Sequence, residues 1–173
     1  MNSRVSYWLM PAEPDQEQLT ATIRRLATPV GGPIFQPHVT LYSGPVEARE
    51  RLDAILQEAT GGFHAIVLNS RGLKHSEQFT KTLFMEFDDN DALELLAAKL
   101  KQLSAQPEDY QLNPHLSLVY ASMDWARRRA LAESVAIPKA VRFDSLKAML
   151  TGSTTGSRGD VESWRMLAEQ RLR

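Results

Sequence analysis

Two short stretches of the chain contain the residues best suited to catalysis. Pro37–Leu41 and Pro114–Leu118 share one order: a proline, a histidine, an apolar residue, a hydroxyl residue and a leucine. Because side chains i and i+2 of a strand leave the same face, each histidine should point in the same direction as its hydroxyl residue. The two predicted pairs are His38 with Thr40 and His115 with Ser117.

Two such pairs that face each other across a cleft would have the groups needed to open a phosphate ester or a cyclic phosphate. An imidazole accepts or donates a proton near pH 7 without a large change in its pKa. One neutral and one protonated histidine can activate water on one side of phosphorus and protonate the departing oxygen on the other. The hydroxyls of Thr40 and Ser117 can donate hydrogen bonds to the non-bridging oxygens, where negative charge accumulates. The residue types do not decide which histidine is the base.

The sequence around the two motifs repeats at the spacing of the motifs. His38 and His115 are 77 residues apart, and the same shift superposes a leucine-rich helical pattern and an apolar stretch without a gap. This predicts an internal duplication, in which residues 1–173 form a single bilobal domain with one motif strand in each lobe. The segments aligned in this way are Leu19, Ile23 and Leu26 with Leu96, Leu100 and Leu103, and Tyr7–Met10 with Phe84–Phe87.

Hydrophobic periodicity and turn residues predict the element order β-α-β-α-β-β in each copy, with final strands that could pair across the lobes. We expect strands at Val5–Met10 and Phe35–Tyr42, and Asp15 as the N-cap of the helix between them. Ser43–Pro45 should form a turn, and Val161–Leu167 should form a strand. The elements predict an α+β fold of two pseudo-symmetric lobes, with antiparallel or mixed sheets, outer helices and motif strands that line a central cleft.

The composition argues against several kinds of site. With 20 basic and 21 acidic residues the net charge is −1, which disfavours a protein that wraps a long nucleic acid. The chain has no cysteine, and therefore no thiolate nucleophile or disulfide. No His-x-x-x-His pair occurs, and no carboxylate flanks either motif histidine, so we expect no metal and no cofactor. In the absence of a signal-peptide pattern or a long apolar run, we expect a cytoplasmic monomer that binds no membrane.

With both motifs complete, the chain resembles the 2H phosphoesterase superfamily, whose members have two His-apolar-Ser/Thr-apolar motifs on two pseudo-symmetric lobes. Within it, the chain is similar to the cyclic phosphodiesterase branch. Members of that branch begin with a short aromatic strand that runs into a proline, as Val5–Pro11 does, and have a tyrosine just after the second motif, as Tyr120 is here. Plant members have disulfides, which this chain cannot form.

The resemblance implies metal-independent hydrolysis of a 2′,3′-cyclic nucleotide or of ADP-ribose 1″,2″-cyclic phosphate to a phosphomonoester. It implies that His38 and His115 are catalytic, and family analogy favours His115 as the base and His38 as the acid. By the same resemblance, the phosphate is bound by Thr40, Ser117 and Tyr120. Two alternatives stay open: an RNA-processing, ligase-like enzyme that acts on a 2′,3′-cyclic phosphate end of RNA, and a non-catalytic nucleotide-binding module.

Other candidate residues have plainer interpretations. Tyr120 could be a core aromatic residue or could reach the ligand, and the sequence does not distinguish these roles. Trp8 is expected to pack in the core, and His64 to lie at the surface or in a strand. Arg127–Arg129 is expected to form a solvated helix face rather than an RNA-binding patch.

Overall fold

The computed structural model describes the backbone of residues 3–173 and all of their side chains except those of residues 49 and 50. In this range the seven strands are β1 (Arg4–Pro11), β2 (Val39–Pro45), β3 (Ile66–His75), β4 (Leu83–Phe87), β5 (His115–Val119), β6 (Ala140–Thr151) and β7 (Arg165–Arg171). The five α-helices are α1 (Asp15–Ala27), α2 (Arg49–Thr60), α3 (Asp91–Leu103), α4 (Trp125–Glu133) and α5 (Arg158–Glu162). Nowhere in residues 3–173 is a helix long and apolar enough to cross a membrane.

Strand β6 joins the two halves of the sheet. The strands are ordered β2-β1-β6-β3-β4-β5, with β7 also on β6, and the pairs are antiparallel. One edge of β6 pairs with β1, and the other edge pairs first with β3, through residues 140–143, and then with β7, through residues 145–150. The terminal strands β2 and β5 approach each other, so the sheet curls around the space between them. The predicted α+β class is confirmed.

The element order β-α-β-α-β occurs twice, as β1 to β3 and as β4 to β6. Helix α5 and β7 follow the second occurrence only, which corrects the expected six-element unit. The ladders also correct the alignment of the first strands, because Trp8 lies opposite Thr40 and Phe84 lies opposite Ser117, each immediately after a register shift. Phe84 rather than Met85 is therefore equivalent to Trp8. The duplication itself stays a prediction.

A continuous apolar core lies beneath both motif strands. Val39 and Leu41 on β2, and Leu116 and Leu118 on β5, are at most 1% exposed. Strand β2 packs against α3 and β5 packs against α1, so each motif strand contacts the helix of the other half, and the buried residues belong to one cluster. The buried residues of these helices are Leu19, Ile23, Leu26 and Ala27 in α1, and Leu93, Leu96, Ala97 and Leu100 in α3.

The start of α1 differs from the prediction. Pro14 is the N-cap residue, and no side-chain hydrogen bond caps the helix. Asp15, predicted as the N-cap, is the first helical residue, and its carboxylate accepts a hydrogen bond from the Arg142 N–H at 2.9 Å. Because this contact joins α1 to β6, a long-range interaction determines the position of Asp15, and local capping rules alone could not identify it.

Three predicted strand boundaries also change. Strand β2 begins at Val39 rather than at Phe35, and Ser43–Pro45, expected as a turn, is its last part and pairs with β1. The predicted strand Val161–Leu167 is divided between the end of α5 and the start of β7. A capping box before α5 stabilises this short helix, which interrupts the apolar pattern.

A buried hydroxyl group attaches the start of β4 to the end of β5. Thr82 is 1% exposed, and its one hydroxyl hydrogen is shared between the carbonyl oxygens of Ala121 and Phe79, which lie 2.7 and 2.9 Å from the hydroxyl oxygen. The same oxygen accepts a hydrogen bond from the Ala121 N–H at 3.0 Å. Water cannot easily replace this hydroxyl, because the site is buried.

We expect Thr82→Val to lower the free energy of unfolding by about 2 kcal/mol, because valine leaves the Ala121 N–H and C=O buried without partners. Thr60→Val is the matched control, since Thr60 is 5% exposed but its hydroxyl bonds only within its own helix, 3.3 Å from the Gln57 carbonyl oxygen and, more closely, 2.9 Å from the Leu56 carbonyl oxygen. The control should cost less than about 1 kcal/mol, because that carbonyl keeps its helical hydrogen bond. Urea unfolding of both variants measures the difference. Equal losses would show that the Thr82 hydroxyl does not hold the strands together.

Candidate active site

Both motifs line one cleft with a volume of about 880 Å³. The two imidazoles are near enough for the charge of His115 to disfavour protonation of His38. The cleft is open to solvent on the side away from the apolar core. The predicted site residues that the structure brings together here are His38, Thr40, His115, Ser117 and Tyr120.

Strand alternation separates the polar and apolar residues of each motif. Val39 and Leu116, one residue before each hydroxyl residue, are 0% exposed and belong to the core. His115 and Ser117 leave the opposite face of β5 and line the cleft. The first motif follows the same rule, although its histidine lies just before the start of β2.

A backbone carbonyl two residues upstream orients each imidazole. His38 Nδ1 lies 2.7 Å from the Gln36 carbonyl oxygen, and His115 Nδ1 lies 2.7 Å from the Asn113 carbonyl oxygen. A carbonyl oxygen only accepts, so each Nδ1–H is the donor. This leaves Nε2 of both rings as the atom that can take up or release a proton. The proline between each carbonyl and its histidine keeps the preceding residue extended, and this repeated proline was the available sequence signal.

The walls around the two histidines differ. The indole of Trp8 stacks on His38, with ring centroids 3.6 Å apart and planes 8° apart. Phe84, at the equivalent ladder position, presents its ring at 79° to that of His115, with centroids 5.7 Å apart. Trp8 is 3% exposed, so it is buried as predicted and also contacts a candidate catalytic residue.

Burial lowers the pKa of both imidazoles. His38 is 7% exposed, and burial lowers its pKa from 6.5 to about 4, although its hydrogen bond to Gln36 opposes the change. Burial also lowers the pKa of His115, with the Lys81 charge acting in the same direction and the Glu86 charge opposing it. Because His38 is the more deeply buried ring, it holds a proton less readily than His115.

The three predicted phosphate-binding residues have different surroundings. Within residues 3–173, the Thr40 hydroxyl has no hydrogen-bond partner and faces the cleft. The Ser117 hydroxyl donates to the Thr80 carbonyl oxygen at 2.6 Å. Tyr120 is 4% exposed, and its ring stacks on Phe35 with centroids 3.9 Å apart. Burial raises the pKa of Tyr120, so its phenol stays protonated at neutral pH, and the residue is both a core aromatic and part of the cleft wall.

The cleft contains further residues that the sequence did not single out. Lys81 lines it beside the second motif, and residues 152–155 after β6 form part of its wall. Trp164 also lines it, and its buried Nε1 has no hydrogen-bond partner in the described part of the chain. These residues belong to no motif, so only the fold reveals their proximity to His38 and His115.

Two predictions outside the cleft have different outcomes. Arg128 is 6% exposed and donates to the Met123 carbonyl oxygen at 2.6 Å, so Arg127–Arg129 is not a uniformly solvated face. Its guanidinium also lies 3.7 Å from the Glu77 carboxylate, which attaches α4 to the segment after β3. His64 is exposed and does not line the cleft.

Residues 3–173 contain no group of three or more histidine, aspartate or glutamate residues that could hold a metal ion.

Three solved structures share the fold over nearly the full chain. A protein described as a phosphoesterase has a TM-score of 0.62 at 16% identity, with 98% of each chain covered. TT0787 of Thermus thermophilus has a TM-score of 0.60 at 17% identity, with 98% of each chain covered. LigT of E. coli complexed with 3′-AMP has a TM-score of 0.57 at 14% identity, with 99% of each chain covered. At these identities the likeness establishes the fold.

Sequence comparison identifies the family. Comparison with curated proteins gives no match. The family model described as "Cyclic phosphodiesterase-like protein" matches residues 1–172. The match spans both His-x-hydroxyl motifs, and the chain shares its fold with LigT, with TT0787 and with the protein described as a phosphoesterase. The chain therefore belongs to the cyclic phosphodiesterase-like family of the 2H phosphoesterases.

Proposed function

We propose that the protein hydrolyses a cyclic phosphodiester, either a 2′,3′-cyclic nucleotide or ADP-ribose 1″,2″-cyclic phosphate, to a phosphomonoester without a metal ion. One observation carries this proposal: two imidazoles line one cleft, and an identical Nδ1 hydrogen bond leaves Nε2 of each free to exchange a proton. This is the arrangement that acid–base cleavage of one P–O bond requires. LigT of E. coli, which shares the fold, was crystallised with 3′-AMP and with phosphate, and this supports a nucleotide ligand.

The proposed reaction balances with one water molecule and two histidines. The neutral imidazole takes a proton from water as the water oxygen forms a bond to phosphorus. The bond from phosphorus to one ring oxygen breaks, and the protonated imidazole donates its proton to that departing oxygen. The Thr40 hydroxyl can donate a hydrogen bond to a non-bridging oxygen, where charge accumulates. The two histidines exchange protonation states, and a proton transfer through solvent restores the starting form.

The surroundings of the histidines favour one assignment of roles. His38 is the more deeply buried ring and loses its proton first, so it is the better candidate for the base in the free protein. His115 keeps its proton to a higher pH and is the better candidate for the acid. This order is the reverse of the one that family analogy favours. The kcat/KM pH profiles of His38→Ala and His115→Ala test it, since loss of the base should remove the acidic limb of the profile and loss of the acid should remove the basic limb.

We expect His38→Ala and His115→Ala each to reduce kcat/KM for a 2′,3′-cyclic nucleotide by about 10²–10⁴-fold, the usual contribution of a positioned acid or base. His64→Ala is the matched control, because His64 is exposed and lies outside the cleft. It should leave kcat/KM unchanged. Rates should be measured in excess EDTA, which should have no effect on the wild-type protein.

Three outcomes would contradict this proposal. Loss of turnover on chelation would show that a metal takes part. Wild-type rates in either motif variant would remove that histidine from the reaction. Tight binding of cyclic nucleotides with no product after long incubation would favour a non-catalytic nucleotide-binding module. A strong preference for an oligonucleotide that ends in a 2′,3′-cyclic phosphate over the mononucleotide would instead identify the RNA-end alternative.

The two lowered pKa values predict an acidic optimum for kcat/KM. As the pH falls to about 4, protonation of His38 removes the base. As the pH rises, His115 loses its proton before the usual 6.5 is reached, and this removes the acid. The rings that face His38, those of Trp8, Phe35 and Trp164, are uncharged, so His115 provides the neighbouring charge. His115 faces Lys81 and Glu86, whose charges oppose each other. The activity should therefore rise above about pH 4 and fall before neutral pH.

The pH dependence can be measured from about pH 4 to pH 8, together with NMR titration of both imidazoles in the free protein. The kcat profile should lie at higher pH than the kcat/KM profile, because the bound phosphate anion favours protonation of both rings. A kcat/KM maximum above pH 7, or imidazole pKa values at or above 6.5 in the free protein, would contradict the prediction.

A further inference from the structure

The two hydroxyl groups of the motifs are not equally available to a phosphate. A hydroxyl has one hydrogen to donate. Ser117 donates its hydrogen to the Thr80 carbonyl oxygen at 2.6 Å, a short hydrogen bond within the protein. The Thr40 hydroxyl has no such partner in residues 3–173. The motif hydroxyl of the second half is therefore not available to donate as that of Thr40 is, as long as the Ser117 bond is formed.

The Ser117 bond holds a turn against the second motif. This turn, Phe79–Lys81, is a single 3₁₀ turn between β3 and β4. Thr80, in its centre, receives the hydrogen bond from Ser117, and Thr82, just after it, binds both backbone groups of Ala121. Attachments before and after position 81 fix the backbone of Lys81 beside the second motif.

Lys81 is a cation in the cleft that forms no ion pair with the side chains described by the structure. Arg4, Arg71 and Lys74 near the cleft lie 2.6, 3.8 and 2.7 Å from carboxylates of Glu108, Asp88 and Glu86. Among the side chains that the structure describes, no carboxylate forms an ion pair with Lys81. Its Nζ lies 5.9 Å from the centroid of the Phe84 ring, which itself contacts His115.

Partial burial of an unpaired ammonium group is unfavourable, and a bound anion would relieve the cost. Burial lowers the pKa of Lys81, and the charge of Glu86, whose carboxylate pairs with Lys74 at 2.7 Å, opposes this change without reversing it. Lys81 and His115 line the same cleft and both lie beside the Phe84 ring, and the charge of Lys81 lowers the pKa of His115.

We propose that Lys81 binds the phosphoryl oxygens of the substrate from the second half of the cleft, opposite Thr40, and that Ser117 is a positioning residue that holds the turn on which Lys81 lies. The inference rests on the proposed function for the identity of the substrate. Its phosphate-binding part can be tested without turnover.

The test compares Lys81→Met with Lys139→Met, which removes the same charge from an exposed residue that does not line the cleft. Lys81→Met should weaken binding of inorganic phosphate about 10- to 100-fold in calorimetry, as expected for loss of a charge-assisted hydrogen bond. It should lower kcat/KM for a 2′,3′-cyclic nucleotide about 10²-fold. Lys81→Arg should restore much of the phosphate affinity and of kcat/KM. Lys139→Met should change neither of these quantities.

NMR titration of His115 gives a readout that a purely structural role would not change. Its pKa should rise in Lys81→Met, because the neighbouring positive charge is lost, and should stay low in Lys81→Arg. If Ser117 acts through the turn, Ser117→Ala should weaken phosphate binding in the wild-type background but add little in the Lys81→Met background. Additive effects would show that Ser117 contacts the phosphate directly and would overturn its assignment as a positioning residue.

Wild-type phosphate affinity in Lys81→Met would overturn the proposal, whatever the activity. If the wild-type protein hydrolyses no cyclic phosphodiester but Lys81→Met still weakens phosphate binding, the proposed reaction fails and the role of Lys81 stands. Lys81→Gln is the second variant if methionine disturbs the fold, and it should weaken phosphate binding in the same way, since it too lacks the charge.

Discussion

The hydrogen bond from each histidine Nδ1–H to a backbone carbonyl is the interaction on which the site depends. An acid–base pair needs the correct nitrogen of each ring in the cleft, and the carbonyls of Gln36 and Asn113 achieve this without a charged group. A carboxylate in the same place would favour the imidazolium and raise the pKa. The neutral carbonyl orients the ring while burial keeps the pKa of His38 and His115 low. The carbonyl orients each ring and favours its protonated form, but burial has the larger effect and determines the direction in which the pKa changes.

The sheet must hold two motif strands at a fixed separation although both are terminal strands. Strands β2 and β5 lie at opposite ends of the order, yet the curl of the sheet brings them near each other. The central strand β6 pairs with β1 on one edge and with β3 and β7 on the other, and the core beneath the motif strands is continuous. Displacement of one motif relative to the other would break ladder hydrogen bonds and expose apolar surface. The cleft geometry is thus a property of the whole sheet.

The sequence predicts what local rules determine. The alternation that directs His115 and Ser117 into the cleft and Leu116 into the core depends only on strand geometry, so the motif residues were identifiable. The equivalence of Trp8 and Phe84 could not be identified in this way. Register shifts in the ladders place Phe84, one residue before the position expected from the repeat, opposite the second motif. Long-range contacts were also beyond local rules. Those that changed an interpretation are the bonds of Asp15 to Arg142 and of Ser117 to Thr80, and the ion pair of Arg128 with Glu77.

Differences between the two halves would give the proposed reaction a direction. Two imidazoles in identical surroundings would share a single proton equally, and half of the singly protonated molecules would have the acid and base reversed. Stacking of Trp8 on His38 buries that ring, whereas the edge of Phe84 leaves His115 beside Lys81 and Glu86. A separation of about one pKa unit already places the proton on one histidine about ten times more often than on the other. The two motif strands orient both imidazoles in the same way, and the different residues that contact each ring determine which ring is protonated more readily.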